Sequence, residues 1–575
     1  MDLRRLSVAV VMTWCCAFTS AFAGHERTLY YNGKVFTSNP KQLWAKGVAV
    51  QGKVILAVGT TGEVLAFREA DSKLVDLQGR TMIPGFNDAH VHPFDTTSFP
   101  RAVQLNSATD FIPGPGPTLQ EVISLIKQGA ATTPPGTWLM ASIGSNIVED
   151  PEANRFALQD AAPAHPVLLA AWYGHGTYLN TKAMETIGIG EEELDPFGGF
   201  YERVPGTRVI TGVAHEYAEH LIRRFFAGQM TDREFVSLYE KFAQNAAQMG
   251  YTSVQEFSVG VPQRKHLELL ASSRIPIRWR AICFPLTLEE RCDVPATFSP
   301  LTPFSSITAS GVKWIADGTF VERLAFLNED YADAPGIRGR LNFSRDAVAA
   351  ELRRSLTGPV IETQPLFHSV GDGTSDAILD KMATVASDSA WKVRRPRIEH
   401  GTLLRPDRYE SARRKGVIVV QNPLHFSLAP VTAVRFSPQL QALMDPMKSL
   451  LDADVTLAIG SDSVGMPGNP YLDLFFALVQ PTHPSEALTI EQAVIAYTKT
   501  AAEAEFQEQW KGTLESGKLA DLVVLSQDIF TIAPPAIIET QALLTVVGGQ
   551  VVYDSGTLKA ESAAGSIDRS GGQRR

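Results

Sequence analysis

Histidine is scarce in this chain, with 12 in 575 residues. Cysteine is scarcer still: four in all, of which Cys15 and Cys16 fall within the first 24 positions. So few cysteines exclude a disulfide scaffold and a cysteine-rich metal site as the organiser of the fold. Positive charge is also in deficit. Lys and Arg number 52 against 62 Asp and Glu, a net −10, which argues against nucleic acid or another polyanion as partner. No apolar run after the first 24 positions reaches the roughly 20 residues of a membrane span. The remainder, 44% hydrophobic and 20% charged, is an ordinary globular composition. Its length allows a large core and more than one domain.

The one long apolar stretch lies at the N-terminus. Arg4 and Arg5 precede it and Ala21-Phe22-Ala23 closes it, the pattern of a secretory signal cleaved near Ala23-Gly24. The expected location is therefore the periplasm or the exterior. A lipid anchor at Cys15-Cys16 is the lesser reading, since no lipobox-type small residues precede the pair. Export would leave Cys283 and Cys292. Two readings stay open for them, a bridge in an oxidising compartment or two buried free thiols. With no activating partner in sight, the balance tips towards free thiols.

Short strands with Gly and Asn turns occupy both ends of the mature chain. They read as one small β domain, a β-sandwich built from residues 24–80 and 506–558. Between them, over 81–505, eight apolar strand-like runs alternate with amphipathic stretches. The runs include "TMIPGFNDAHVH", "YTSVQEF", "GVKWIADG", "PLFHSVGD", "RPRIEHG" and "VTLAIGSD". This rhythm predicts an α/β fold, a (β/α)8 TIM-type barrel whose active site lies at the C-terminal strand ends. Residues of about 94–235 break the rhythm and read as an insertion. The Gly/Ser-rich tail, 559–575, reads as disordered.

Two of the scarce histidines stand together in "PGFNDAHVHP", as His90 and His92. On a helix they would point about 200° apart, whereas on a strand they share one face, as a common metal ion requires. Taken alone, an H-x-H is weak evidence. The strand ends add Lys313, His368, His400 and Asp462, so six metal-compatible residues fall on five strand ends of one inferred barrel. Neutral imidazoles and carboxylates suit Zn²⁺ and similar divalent ions. Lys313 is the odd member, because a buried ammonium is costly. An ion pair with Asp317 on the same strand face would explain it, and so would carbamylation by CO₂, which makes the side chain an anionic ligand.

These motifs, with "GVKWIADGT", "FHSVGDG", "IGSDS" and the closing "GTLESGKLADLVVL", resemble the amidohydrolase superfamily, in particular the branch containing N-substituted formamide deformylase. The resemblance covers nearly the whole mature chain. It implies a metal-dependent hydrolase of C–N bonds (amide, N-formyl or cyclic amide). His90, His92 and Asp462 would hold one ion, His368 and His400 a second, and a carbamylated Lys313 would bridge them. Asp462 would act as general base and then acid. His175, from the insertion, would reach the site as an oxyanion or substrate contact. Glu216 and His425 are further pocket candidates, each with a structural reading beside the functional one. A homodimer is compatible with the resemblance. "VQEF", with Gln255-Glu256 where His-Asp is frequent, departs from the family pattern and is expected to border the pocket, so no single substrate is carried over. A lactonase or esterase using the same site, or a non-catalytic binding or regulatory descendant, is the alternative.

Overall fold

The computed structural model describes residues 26–110, 114–301 and 304–562. The proposed signal segment and the chain beyond 562 lie outside the described residues. The central sheet runs through β1 (Phe86–His92), β2 (Tyr251–Ser258), β3 (Arg278–Cys283), β4 (Ile307–Ile315), β5 (Pro365–Ser369), β6 (Arg397–His400), β7 (Ile418–Gln421) and β8 (Thr456–Ile459). Each strand pairs in parallel with the next. Ser463–Val464 continues β8 and pairs in parallel with Val91 and His92 of β1. The sheet thus curls back onto its first strand, giving an α/β, barrel-like fold.

Local sequence fixes how the crossovers enter the strands. Helix Asp232–Met249 starts at a capping box between Thr231 and Glu234 and stops at Gly250, whose φ is 96°. A left-handed residue there suits glycine and turns the chain directly into β2. The crossover from β3 to β4 is different. Among its described residues it has only the short turn Ala296–Phe298, and a disulfide joins Cys283 to Cys292 with Cα atoms 5.7 Å apart. This corrects the free-thiol reading. The chain doubles back over the end of β3, an approach that the spacing of the two cysteines does not reveal.

Between β1 and β2 lies a six-stranded sheet spanning Ala102–Gln104 to Ile210–Glu216. Residues alternate along its strands between two apolar clusters. Leu139, Ala141 and Ile143 enter one, and Trp138 and Met140 the other, the period-two pattern of a sheet covered on both faces. Helix α1 (Tyr217–Gln229) follows at once.

Two more sheets each take strands from both chain ends. Tyr30, Val50 and Val75 from one, and Val35, Met82, Leu522 and Val546 from the other, share an apolar cluster. Ala560–Ser562 pairs antiparallel with Lys73–Asp76, so this part of the tail is a strand and not disordered. Its pairing uses backbone hydrogen bonds, which a polar sequence can still make.

Candidate metal centre

The C-terminal strand ends and the turn after β7 gather four of the predicted residues around a fifth, the carboxylate of Asp462. Asp462 Oδ1 lies 3.3 Å from Nε2 of His90 and 3.3 Å from Nε2 of His92. Its Oδ2 lies 3.3 Å from Nε2 of His425 and 3.7 Å from Nδ1 of His400. The Asp462 N–H donates to His90 O at 2.7 Å, which locks the carboxylate beside β1. His368 is next in line, its ring 4.4 Å from that of His400 and 4.6 Å from that of His175. His90 with His92 and Asp462, and His400 with His425 and Asp462, are each close enough to share an ion.

Backbone conformation helps to aim these groups. His400 (φ 69°) and Asp462 (φ 52°) are both left-handed, as is Glu216 (φ 58°). Non-glycine residues held there store strain, and such residues cluster at functional sites.

The surrounding side chains set ring orientation. His90 Nδ1 sits 2.8 Å from Glu399 Oε2, and Arg397 holds both Glu399 oxygens at 2.7 and 2.8 Å. That contact makes Nδ1–H the donor and turns Nε2 towards Asp462, where a metal ion would take the place of its proton. His400 Nδ1 lies 2.8 Å from Asn422 Oδ1, which frees its Nε2 in the same way. Glu399, Arg397 and Asn422 were not singled out in the sequence. The signal was present in "RPRIEHG" and "VVQNP", where charged or amide side chains interrupt apolar strands.

Electrostatics favour the neutral form of His92, His368 and His400 and the charged form of Asp462. Burial pushes His92 down to about 4, against the pull of Asp462. His368 and His400 are likewise driven well below their ordinary value by burial, with the charge of Asp462 pulling the other way. Burial alone would raise Asp462, but the His90 charge and hydrogen bonds from His425, His90 and His92 hold it well below the usual carboxylate range. Neutral imidazoles beside an ionised carboxylate are the protonation states that a divalent ion needs.

Lys313 lies fully buried in β4, and its Nζ has no hydrogen-bond partner among the described residues. It stands 4.3 Å over the Phe257 ring, which also packs 4.3 Å from the His90 ring. The ion pair with Asp317 is not formed. Asp317 is instead satisfied by N–H groups of Phe326, Val370 and Gly371 and by the Thr374 hydroxyl. Burial lowers the Lys313 amine to about 8. This orphaned amine, the unpartnered His92 Nδ1 and the oxygen and nitrogen donor set fit a divalent metal.

His175 reaches the site from the six-stranded sheet. Its Nδ1 is 3.0 Å from Glu216 Oε1, while Asn342 Nδ2 donates to Glu216 Oε2 at 3.0 Å. Burial would depress His175, but the charge and hydrogen bond of Glu216, backed by Glu322 and Glu219, raise it to about 9. An imidazolium therefore adjoins His368. Tyr173, Phe320, Val321 and Leu428 add apolar walls to the cavity of about 20 Å³ that these groups enclose. A larger cleft of about 630 Å³ beside Cys292 and Trp314 holds none of the predicted residues, so volume is a poorer guide here than chemistry. Of the residues of "VQEF", Phe257 packs against His90 and Lys313, whereas Gln255 and Glu256, which depart from the family pattern, do not border the pocket. Gln255 contacts Arg280 and Arg397 in the polar floor of the barrel, and Glu256 contacts Trp279 and His266.

The family profile described as "Amidohydrolase family" matches residues 73–553. N-substituted formamide deformylase of Arthrobacter pascens is 27% identical over 550 residues, covering 91% of this chain and 97% of the deformylase. The Arabidopsis thaliana protein LONG AFTER FAR-RED 3 is 26% identical over 553 residues, 91% of each chain. An uncharacterized metal-dependent hydrolase from Pyrococcus horikoshii shares the fold, with a TM-score of 0.65 at 21% identity over 89% of this chain and 99% of its own. The chain belongs to the amidohydrolase family.

Proposed function

We propose that this is an exported hydrolase that cleaves an amide, N-formyl or cyclic amide bond, with Asp462 as the proton carrier. The observation that carries the reading is Asp462 itself, whose two oxygens face nitrogens of His90, His92, His400 and His425. A divalent ion bound there, zinc being the first candidate, supplies Lewis acidity that makes water nucleophilic near neutral pH and polarises a carbonyl. His90, His92 and Asp462 would hold one ion, and His368 and His400 a second. Carbamylated Lys313 would offer oxygens to both. An amine lowered to about 8 is partly neutral near pH 7.5, the form that attacks CO₂ to give a carbamate and a proton.

Asp462 then accepts a proton from the attacking water and returns it to the leaving nitrogen. His175, kept cationic by Glu216, donates to the oxygen on which negative charge develops. Apolar residues around the pocket exclude bulk water and so strengthen both interactions. N-substituted formamides are the first substrates to try, given the likeness to the Arthrobacter deformylase. The Cys283–Cys292 disulfide supports export, because such bonds persist in oxidising compartments. We also read the two terminal sheets as one small β-sandwich.

The test is a panel of formamides, N-acyl amino acids, cyclic imides and matched esters, assayed on protein stripped of metal and reloaded with zinc or manganese. Turnover of amides that appears only on reloading is expected. Equal turnover after chelation would overturn the reading, and turnover of esters and lactones alone would replace it with the esterase alternative.

A further inference from the structure

Helix α1 buries a polar face. Glu216, at its N-cap, and Glu219, His220 and Arg223 are 0%, 1%, 4% and 3% exposed. Their spacing of three or four residues puts them along one side of the helix. A buried helix face is normally apolar, so this one asks for polar partners. Arg223 finds one in Glu219 Oε1, at 2.7 and 2.9 Å. Glu219 Oε2 and both ring nitrogens of His220 have no hydrogen-bond partner among the described residues. Buried groups so left are rare and destabilising.

The face lies close enough to the reaction centre for the charges of His175 and His92 to act on His220. The Tyr217 hydroxyl accepts the N–H of Ile315, two residues beyond Lys313. Arg223 Nη2 lies against Gly174, immediately before His175. Between these anchors, the His220 ring packs 5.0 Å from Phe284, just past the end of β3. Burial, followed by the charges of Arg223, His175 and His92, drives this imidazole well below its ordinary value, so it is neutral, with one donor and one acceptor.

We infer that Glu219 and His220 form a substrate-recognition subsite beside the metal centre, built for a neutral hydrogen-bond-donating group such as a hydroxyl, primary amide or ureido group. A carboxylate is disfavoured, since Glu216 stands one turn away and Glu219, though burial raises it to about 7, stays partly ionised near neutral pH. The inference rests on the hydrolase reading for its turnover test but not for its stability test.

Two measurements decide it. The first compares the zinc-loaded protein on N-butylformamide and N-(4-hydroxybutyl)formamide, a pair differing by one hydroxyl. The hydroxylated substrate is expected to have the higher kcat/KM, by about tenfold for one hydrogen bond to a charged or buried partner. His220→Leu should bring the ratio near one, and His220→Gln, which keeps a donor and an acceptor, should restore most of it. The second is thermal unfolding of the metal-free protein. Removing unpaired polar atoms should leave the Tm of His220→Leu unchanged or raised by about 1–3 °C. A Tm lowered by about 3 °C or more would show that His220 is already satisfied, and would overturn the proposal. A wild-type ratio near one, or one that His220→Leu leaves intact, would also overturn it. If neither formamide is turned over, the hydrolase reading is what fails for this class, and the Tm comparison still judges the subsite.

Discussion

Glu216→Gln is the perturbation whose consequence the structure fixes most closely. Glutamine keeps an oxygen that can accept His175 Nδ1–H, so shape and hydrogen bond survive while the charge is lost. Glu216 is fully buried and its oxygen is 3.0 Å from the ring. Against burial, which would lower His175, the charge and hydrogen bond of Glu216 lift it from 6.5 to about 9. That rise corresponds to about 3 kcal/mol of native-state stability. The sign follows from the raised value. The stabilisation is complete below about pH 6.5, where His175 is protonated in both states, and is lost as pH climbs through about 9. Metal-stripped wild type and Glu216→Gln should therefore differ most in stability near pH 6, with the gap closing towards pH 9.5. Contacts with Asn342 change too, but they add an offset that does not vary with pH. Denaturant midpoints of the two proteins across pH 6–9.5 would measure the gap. A gap that is flat, or that widens as pH rises, would refute the assignment of His175 as an imidazolium held by Glu216.

Four other outcomes are expected. Asp462→Asn should lower kcat by about 10²–10⁴-fold, as for loss of a general base, while elemental analysis still finds metal held by the histidines. His90→Ala/His92→Ala should instead lose most of the metal, and an unchanged stoichiometry would remove those two from the ligand set. Lys313→Ala should lose or weaken one ion, with acetate or bicarbonate partly restoring metal and activity; native mass spectrometry showing a bare amine in the active, metal-loaded enzyme would rule out the carbamate. N-terminal sequencing of the mature protein should begin near Gly24, and an intact Met1 on active cytoplasmic protein would contradict export.

The sequence by itself determined the elements and their chemistry. Scarce histidines set at the ends of β-branched, apolar runs mark strand ends with few alternatives, because period and residue type are local properties. The parallel order of the eight strands followed from long crossovers between them, helical in most cases but not between β3 and β4. Partnership was different. Whether Lys313 pairs with Asp317 depended on four donors from β5 and its neighbours that claim Asp317 first. Whether Cys283 meets Cys292 depended on the path of the β3–β4 connection. The placing of "VQEF" depended on strand rotation, which turns Gln255 into the floor and Glu256 towards Trp279. The roles of Glu399 and Asn422 became visible only when β1 met β6 and β6 met β7. Each of these is a contest among groups far apart in the chain for the same few hydrogen bonds. Local sequence names the competitors, but only the packed structure brings them within the 3 Å at which one of them wins.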